Sequence, residues 1–135
     1  MTYFFDASFL IALFNSEDIF HPKAIEIIKK VDLLNNPFVT SNIAVAETIN
    51  ALFRTNGSLI AKKFFSSFKK SSIKEFFITK EIFHSAYKLL FQQKSKSGLN
   101  LFDCLHVETM KHLNINTILT FDSDFKKFAK INEVG

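Results

Sequence analysis

Five acidic residues carry most of the chemistry that this sequence could perform: Asp6, Glu47, Asp103, Asp122 and Asp124. Asp6 directly follows the aromatic run at residues 2–5, and Asp122 follows the β-branched run at 115–121, with Asp124 two residues beyond it. Glu47 lies inside the otherwise apolar stretch 43–53, and Asp103 opens a helical pattern that precedes the last strand pattern. If the helices bearing Glu47 and Asp103 start at the same sheet edge as the two strand ends, these carboxylates converge on one pocket. Several carboxylates a few ångströms apart do not all ionise at neutral pH unless a cation holds them. An all-oxygen set suits Mg²⁺ or Mn²⁺ and does not suit zinc. A divalent ion in such a set acidifies a bound water, polarises a phosphoryl oxygen and stabilises a leaving alkoxide.

Each acid also has a plainer reading. Asp6 can cap the helical stretch 7–14, and Asp103 can be the third-position partner of a cap at Asn100. Asp122, Ser123 and Asp124 can form an Asx-type turn that caps a short helix through Phe128. Glu47 is different, because it is flanked by Ala44, Val45, Ala46, Ile49 and Ala51. A carboxylate buried there needs a partner or a metal.

The elements that must position these groups alternate along the chain. Residues 2–5 predict a strand and 7–14 a helix, followed by a second helix from Pro22 to about Val31 that Asn35, Asn36 and Pro37 break. Residues 38–41 predict a second strand, after which Asn42 is expected to cap a helix that Asn56 and Gly57 end. Residues 59–68 read as helix, 73–79 as strand, 81–93 as helix, 94–98 as a polar loop, 101–113 as helix and 115–121 as strand. This order predicts a three-layer α/β/α fold with a mainly parallel central sheet of four or five strands. In such sheets the ligand crevice lies outside the carboxyl ends of the strands, where Asp6 and Asp122 fall.

Composition narrows the class. At 135 residues with 47% hydrophobic content and 18 Phe, the chain predicts a single domain spanning residues 1–135 and excludes disorder. One cysteine, Cys104, permits no intrachain disulfide, and no apolar run approaches the ~20 residues of a membrane span, so the expected compartment is the cytoplasm. The net charge of +4 hides a polarised chain. Residues 62–96 hold nine lysines against two acids, a net +7, and the remainder sums to −3. Lysines act as point charges, so Lys62, Lys63, Lys69, Lys70, Lys94 and Lys96 are expected to meet phosphates of a polyanion such as RNA.

Four strings resemble the signature blocks of PIN-domain ribonucleases, in the family's order: residues 3–11 (YFFDASFLI), 46–48 (AET), 101–106 (LFDCLH) and 119–125 (LTFDSDF). Their spacing is similar to that of the small VapC-like toxins, and His21 with Ala24 resembles a short His-x-x-Ala element found after the first helix in many members. The resemblance implies a metal-dependent endoribonuclease whose catalytic, Mg²⁺- or Mn²⁺-binding acids match Asp6, Glu47 and Asp103. A fourth acid near the last strand helps; Asp122 and Asp124 both fit, with Asp122 nearer the strand end. It also implies that Ser8, Asn42 and Thr120 support the site, that cleavage leaves a 5′-phosphate and a 3′-hydroxyl, and that the partners are RNA, an antitoxin seated in an apolar groove and a second copy of the chain. The alternatives within the family are a nuclease of RNA maturation or decay without an antitoxin, and a module that only binds RNA or protein.

Other sites are weaker. A phosphate-accepting receiver wants paired acids at its first strand, and the haloacid-type phosphatase pattern needs an Asp where Ser8 stands. Cys104 and His106 point to nearly opposite faces of their helix and cannot pair as nucleophile and base. His84 and His112 lack metal spacing, and His21 is expected to be structural.

Overall fold

The computed structural model describes residues 1–32, 35–127 and 132–134. Five strands form one sheet in the order β3-β2-β1-β4-β5: β1 (Tyr3–Phe5), β2 (Phe38–Ser41), β3 (Lys74–Phe76), β4 (Thr117–Leu119) and β5 (Asn132–Val134). All four pairings are parallel. The chain winds outward from β1 through β2 to β3 and then crosses back to β4, so the direction of winding reverses between β1 and β4. That switch point leaves a crevice at the carboxyl ends of the two strands.

Side-chain alternation explains why the sheet is covered twice. Successive residues of a strand face opposite sides, and Phe5 and Leu119 enter one apolar cluster while Phe4 and Ile118 enter the other. The first cluster takes residues from α1 (Ala7–Phe14), α2 (His21–Asp32), α3 (Asn42–Asn56) and α4 (Ser58–Lys70); the second takes residues from α5 (Lys80–Gln92) and α6 (Leu101–His112). The result is the α/β/α sandwich that the alternating pattern predicts.

Several boundaries differ from the sequence reading, each for a local reason. Asn42 is not the cap of α3. Ser41 is, its Oγ accepting the Ala44 N–H at 3.0 Å, while the Asn42 side chain accepts the Ile78 N–H at 2.9 Å and ties α3 to the segment after β3. The last strand pattern shortens to Thr117–Leu119 because β1 offers three partners only, and Thr120 leaves the ladder to serve the crevice. The third strand shortens to Lys74–Phe76 in the same way, pairing with Val39, Thr40 and Ser41. A 3-10 helix, Ser123–Lys127, follows the acids as the Asx turn predicts, with Asp122 Oδ1 accepting the Asp124 N–H at 2.9 Å. Phe128, expected to end it, lies outside the described residues. The strand Asn132–Val134 had no pattern of its own to announce it.

Ser41→Ala is expected to lower stability by about 1 kcal/mol through loss of the N-cap. Chemical denaturation checks this, and an unchanged midpoint would rule out the capping role.

Candidate functional site

The crevice is built from the end of β1 outward. Asp6 leaves the strand in extended conformation and caps α1, its Oδ1 accepting the Phe9 N–H at 3.0 Å and the Ser8 hydroxyl at 2.8 Å. Thr120, beyond β4, donates to Asp6 Oδ2 at 2.6 Å. Both hydroxyls are in turn held by the backbone of the last loop: Phe121 N–H donates to Ser8 Oγ at 3.0 Å and Asp122 N–H to Thr120 Oγ1 at 2.9 Å. Each hydroxyl has one proton and directs it at Asp6, so the 3.2 Å approach of Ser8 Oγ to Thr120 Oγ1 is a contact between acceptors. The carboxyl of Asp6 is only 4% exposed; burial raises its pKa, and the three donors and His106 act against that rise.

Asp103 arrives on the first turn of α6 within a complete capping box. Asn100 Oδ1 accepts its N–H at 2.9 Å and its Oδ2 accepts the Asn100 N–H at 3.2 Å. Burial pushes the Asp103 carboxyl up to about 6; the Asn100 amide opposes the rise, and the charges of Asp122 and Asp6 add to it. Asp103, Asp122 and Asp124 each offer an oxygen, and these oxygens lie within 4.8 Å of one another. Ligand oxygens around an octahedral Mg²⁺ stand about 3 to 4 Å apart, so the all-oxygen donor set fits a small hard cation in chemistry and comes within about an ångström of it in spacing. The structure therefore brings both candidate fourth acids to Asp103.

Glu47 sits beside this group with a partner of its own. His106, 2% exposed, meets Glu47 Oε1 through Nε2 at 2.9 Å, and its Nδ1 is buried without a hydrogen-bond partner among the described residues. A carboxylate only accepts, so the ring donates from Nε2. His106 is the residue that the sequence reading missed. The signal was present, since Asp103 and His106 are three apart and share one face of α6. Glu47 is part-buried with its side chain 30% exposed, and the partner it finds in the fold is a histidine.

The other expected residues divide. Ser8 and Thr120 support Asp6 directly, whereas Asn42 supports the Ile78 backbone and no carboxylate. Lys94 and Lys96 are exposed on the loop beside the first turn of α6, which Gln93 closes by bonding Leu99 at both its N–H and its C=O. Lys62 and Lys63 lie on the outer face of α4. Lys69 and Lys70 end that helix, and the residues that follow, Ser71 to Ile73, line a cavity with Phe38, at the opposite end of β2 from Ser41. The structure thus puts those two lysines at the far edge of the sheet, away from the carboxylates. Cys104 is a core residue, its thiol raised to about 11 by burial, and His21 Nδ1 bonds the Ala12 carbonyl at 2.7 Å.

A parallel α/β sandwich with the hydroxyl-braced Asp6 at its switch point, and Asp103, Asp122 and Asp124 gathered beside it, defines an α/β domain with an acidic cluster at the carboxyl edge of its sheet. The sequence matches the family described as PIN domain over residues 3–131, and the chain belongs to that family. Among solved structures, it is similar to VapC20 of Mycobacterium tuberculosis, a sarcin-ricin loop cleaving toxin, with a TM-score of 0.81 and 23% identity over 96% of each chain. It is also similar to VapBC2 from Rickettsia felis, bound to a promoter DNA fragment, with a TM-score of 0.72 and 16% identity over 99% of this chain and 98% of that one. VapBC-1 from nontypeable Haemophilus influenzae gives a TM-score of 0.72 and 17% identity over 99% and 97%. At these identities the likeness carries the fold. No curated protein matches the sequence.

The raised carboxyls of Asp6 and Asp103 predict an inverted acid profile for the metal-free protein. The folded state retains protons that the unfolded chain has released above its ordinary value of 3.8, so Asp103 makes stability fall as pH rises from about 4 to about 6, and Asp6 acts in the same direction. Denaturation in EDTA across that window should show the decline, Asp103→Asn should flatten it, and millimolar Mg²⁺ at pH 7 should raise the melting temperature. Stability that rises steadily with pH over the same range would contradict the assignment.

Proposed function

We infer that this protein is a Mg²⁺- or Mn²⁺-dependent endoribonuclease and the toxin of a toxin–antitoxin pair, acting in the cytoplasm as a homodimer. The observation that carries the reading is the convergence of Asp103, Asp122 and Asp124 within 4.8 Å beside the hydroxyl-braced Asp6. Family membership and the toxins among its structural relatives support it.

The roles divide by hydrogen bonding. Asp103, Asp122 and Asp124 would hold the ion, which supplies an activated water and neutralises charge on the phosphoryl group when bound. Both oxygens of Asp6 accept hydrogen bonds, which fix the direction of its carboxyl and brace the loop that carries Asp122, while Oδ2, with one donor, keeps a lone pair for the ion. Glu47 Oε1 is held by His106, which leaves Oε2 to orient the attacking water and accept its proton. Lys94 and Lys96, beside the first turn of α6, are placed to take backbone phosphates flanking the cut, with Lys62 and Lys63 further along the surface.

For the antitoxin, the supporting feature is an apolar groove between α3 and α4, lined by Ile49, Phe53, Ala61 and Phe65, with Phe53 57% and Phe65 41% exposed. So much exposed aromatic surface favours a protein partner.

Purified protein should cut RNA only with Mg²⁺ or Mn²⁺ present and stop on EDTA addition. Asp6→Asn and Asp103→Asn should lower the rate on the order of 100-fold or more with the fold retained by circular dichroism. Wild-type cutting by either variant would show that the acids are misassigned. For the partner, Phe53→Glu with Phe65→Glu should abolish co-purification with the product of an adjacent antitoxin gene while leaving RNA cleavage intact; undiminished co-purification would move the interface elsewhere.

A further inference from the structure

Beside the carboxylates stands a column of aromatic rings that metal-dependent hydrolysis does not itself require. Phe121 separates Thr120 from Asp122, and its N–H donates to Ser8, so its backbone belongs to the loop that forms the site. The ring of the fully buried Phe9 lies 5.5 Å from it with the planes 9° apart, and the ring of Phe20 lies 4.6 Å from it, also at 9°. Phe121 is the middle of the column, Phe9 its root in the core, and Phe20, 44% exposed, its open end. None of the other exposed phenylalanines (Phe53, Phe65, Phe77, Phe91 and Phe102) shares a parallel ring stack among the described residues. The open ring is held on fixed backbone. Phe20 N–H donates to Asp18 Oδ2 at 3.0 Å, and Ala24 N–H donates to the Phe20 carbonyl at 2.9 Å.

An exposed ring face continuing a parallel stack is shaped for another flat π system, and nucleobases stack on such faces with little regard to sequence. The surroundings exclude the rest of a nucleotide from that position, because Glu17 and Asp18 beside Phe20 repel phosphate and tolerate a neutral base. Phe121, the middle ring, is joined through its backbone to Thr120 and Asp122, so a base on Phe20 and a phosphate at the carboxylates can belong to one short strand segment. We propose that the exposed face of Phe20 is a stacking site for one unpaired nucleobase of the RNA substrate, next to the bond held at the carboxylates. This rests on the ribonuclease reading and adds to it a named ring for one base of the substrate, since a base inside a duplex is stacked on both faces and has none free for Phe20.

The test uses a single-stranded oligouridylate bearing one 2-aminopurine, whose fluorescence is quenched on stacking, with the full-length protein in EDTA so that binding is read without cleavage. Wild type should quench the single-stranded probe and should cause no further change in the fluorescence of the same probe once it is annealed into a duplex, where neighbouring bases already quench it. Phe20→Ala should abolish the quench and weaken binding roughly tenfold, Phe20→Trp should restore both, and Phe20→Leu, which keeps apolar bulk without a π face, should not. Quenching and affinity in Phe20→Ala equal to wild type overturn the proposal, as does full rescue by Phe20→Leu. Loss of antitoxin binding by Phe20→Ala with RNA binding untouched also overturns it, and shows the ring to be a protein contact. Metal-dependent cleavage of total RNA by wild type, measured in parallel, separates the two readings. If cleavage persists while Phe20→Ala quenches normally, only the stacking site fails; if wild type neither cuts nor binds RNA, both fail.

Discussion

The 2.6 Å hydrogen bond from Thr120 to Asp6 joins the two strands between which the sheet reverses direction. Much of the site depends on it. A carboxyl as buried as that of Asp6 is costly unless donors surround it, and the donors come from both sides of the crevice: Ser8 and Phe9 on α1, Thr120 beyond β4. Because Ser8 and Thr120 also accept from Phe121 and Asp122, the same small network fixes the path of the last loop. One residue, Asp6, therefore sets where Asp122 and Asp124 lie and how far they stand from Asp103.

Capping and catalysis are not competing explanations in this molecule. Asp6 caps α1 and Asp103 closes a capping box on α6, and both still line the crevice, because a cap takes one of a carboxylate's four or so lone pairs and leaves the others at the sheet edge. The helix start also places the acid at the carboxyl edge of the sheet, where a crevice exists, and the amide donors there partly offset the burial that raises both carboxyls. The plain structural reading of each acid is thus the means by which the functional one is reached. Glu47 follows the other route. Mid-helix, with no free amide to bond, it is held by a histidine from α6, whose apolar side packs on the other face of the sheet.

Charge along the chain translates less directly into charge on the surface. The nine lysines between residues 62 and 96 form one block in sequence, but α4, β3 and α5 carry them to different edges of the sheet. Lys94 and Lys96 stay near Asp103 because Gln93 ties their loop to the start of α6. Lys69 and Lys70 end a helix that has already returned to the amino-terminal edge of β3. What remains beside the carboxylates is a mixed surface, basic on the α6 side and aromatic with acidic flanks on the Phe20 side.

Local patterns in the sequence were enough for the layer architecture, the placing of Asp6 and Asp122 at strand ends, and Asp103 in the first turn of its helix, because periodicity and capping are set by neighbours a few residues apart. Pairings across the fold were beyond that range. That both Asp122 and Asp124 join Asp103, and that His106 meets Glu47, depend on side chains up to 59 residues apart being brought within bonding distance. The strand Asn132–Val134 illustrates the same limit, since three residues carry no period and it is β4 that makes them a strand. Sequence determined the inventory of carboxylates and the edge of the sheet they would reach. Only the tertiary structure decided which oxygens are already bonded and which are left for a cation, because that depends on donors supplied from the other end of the chain.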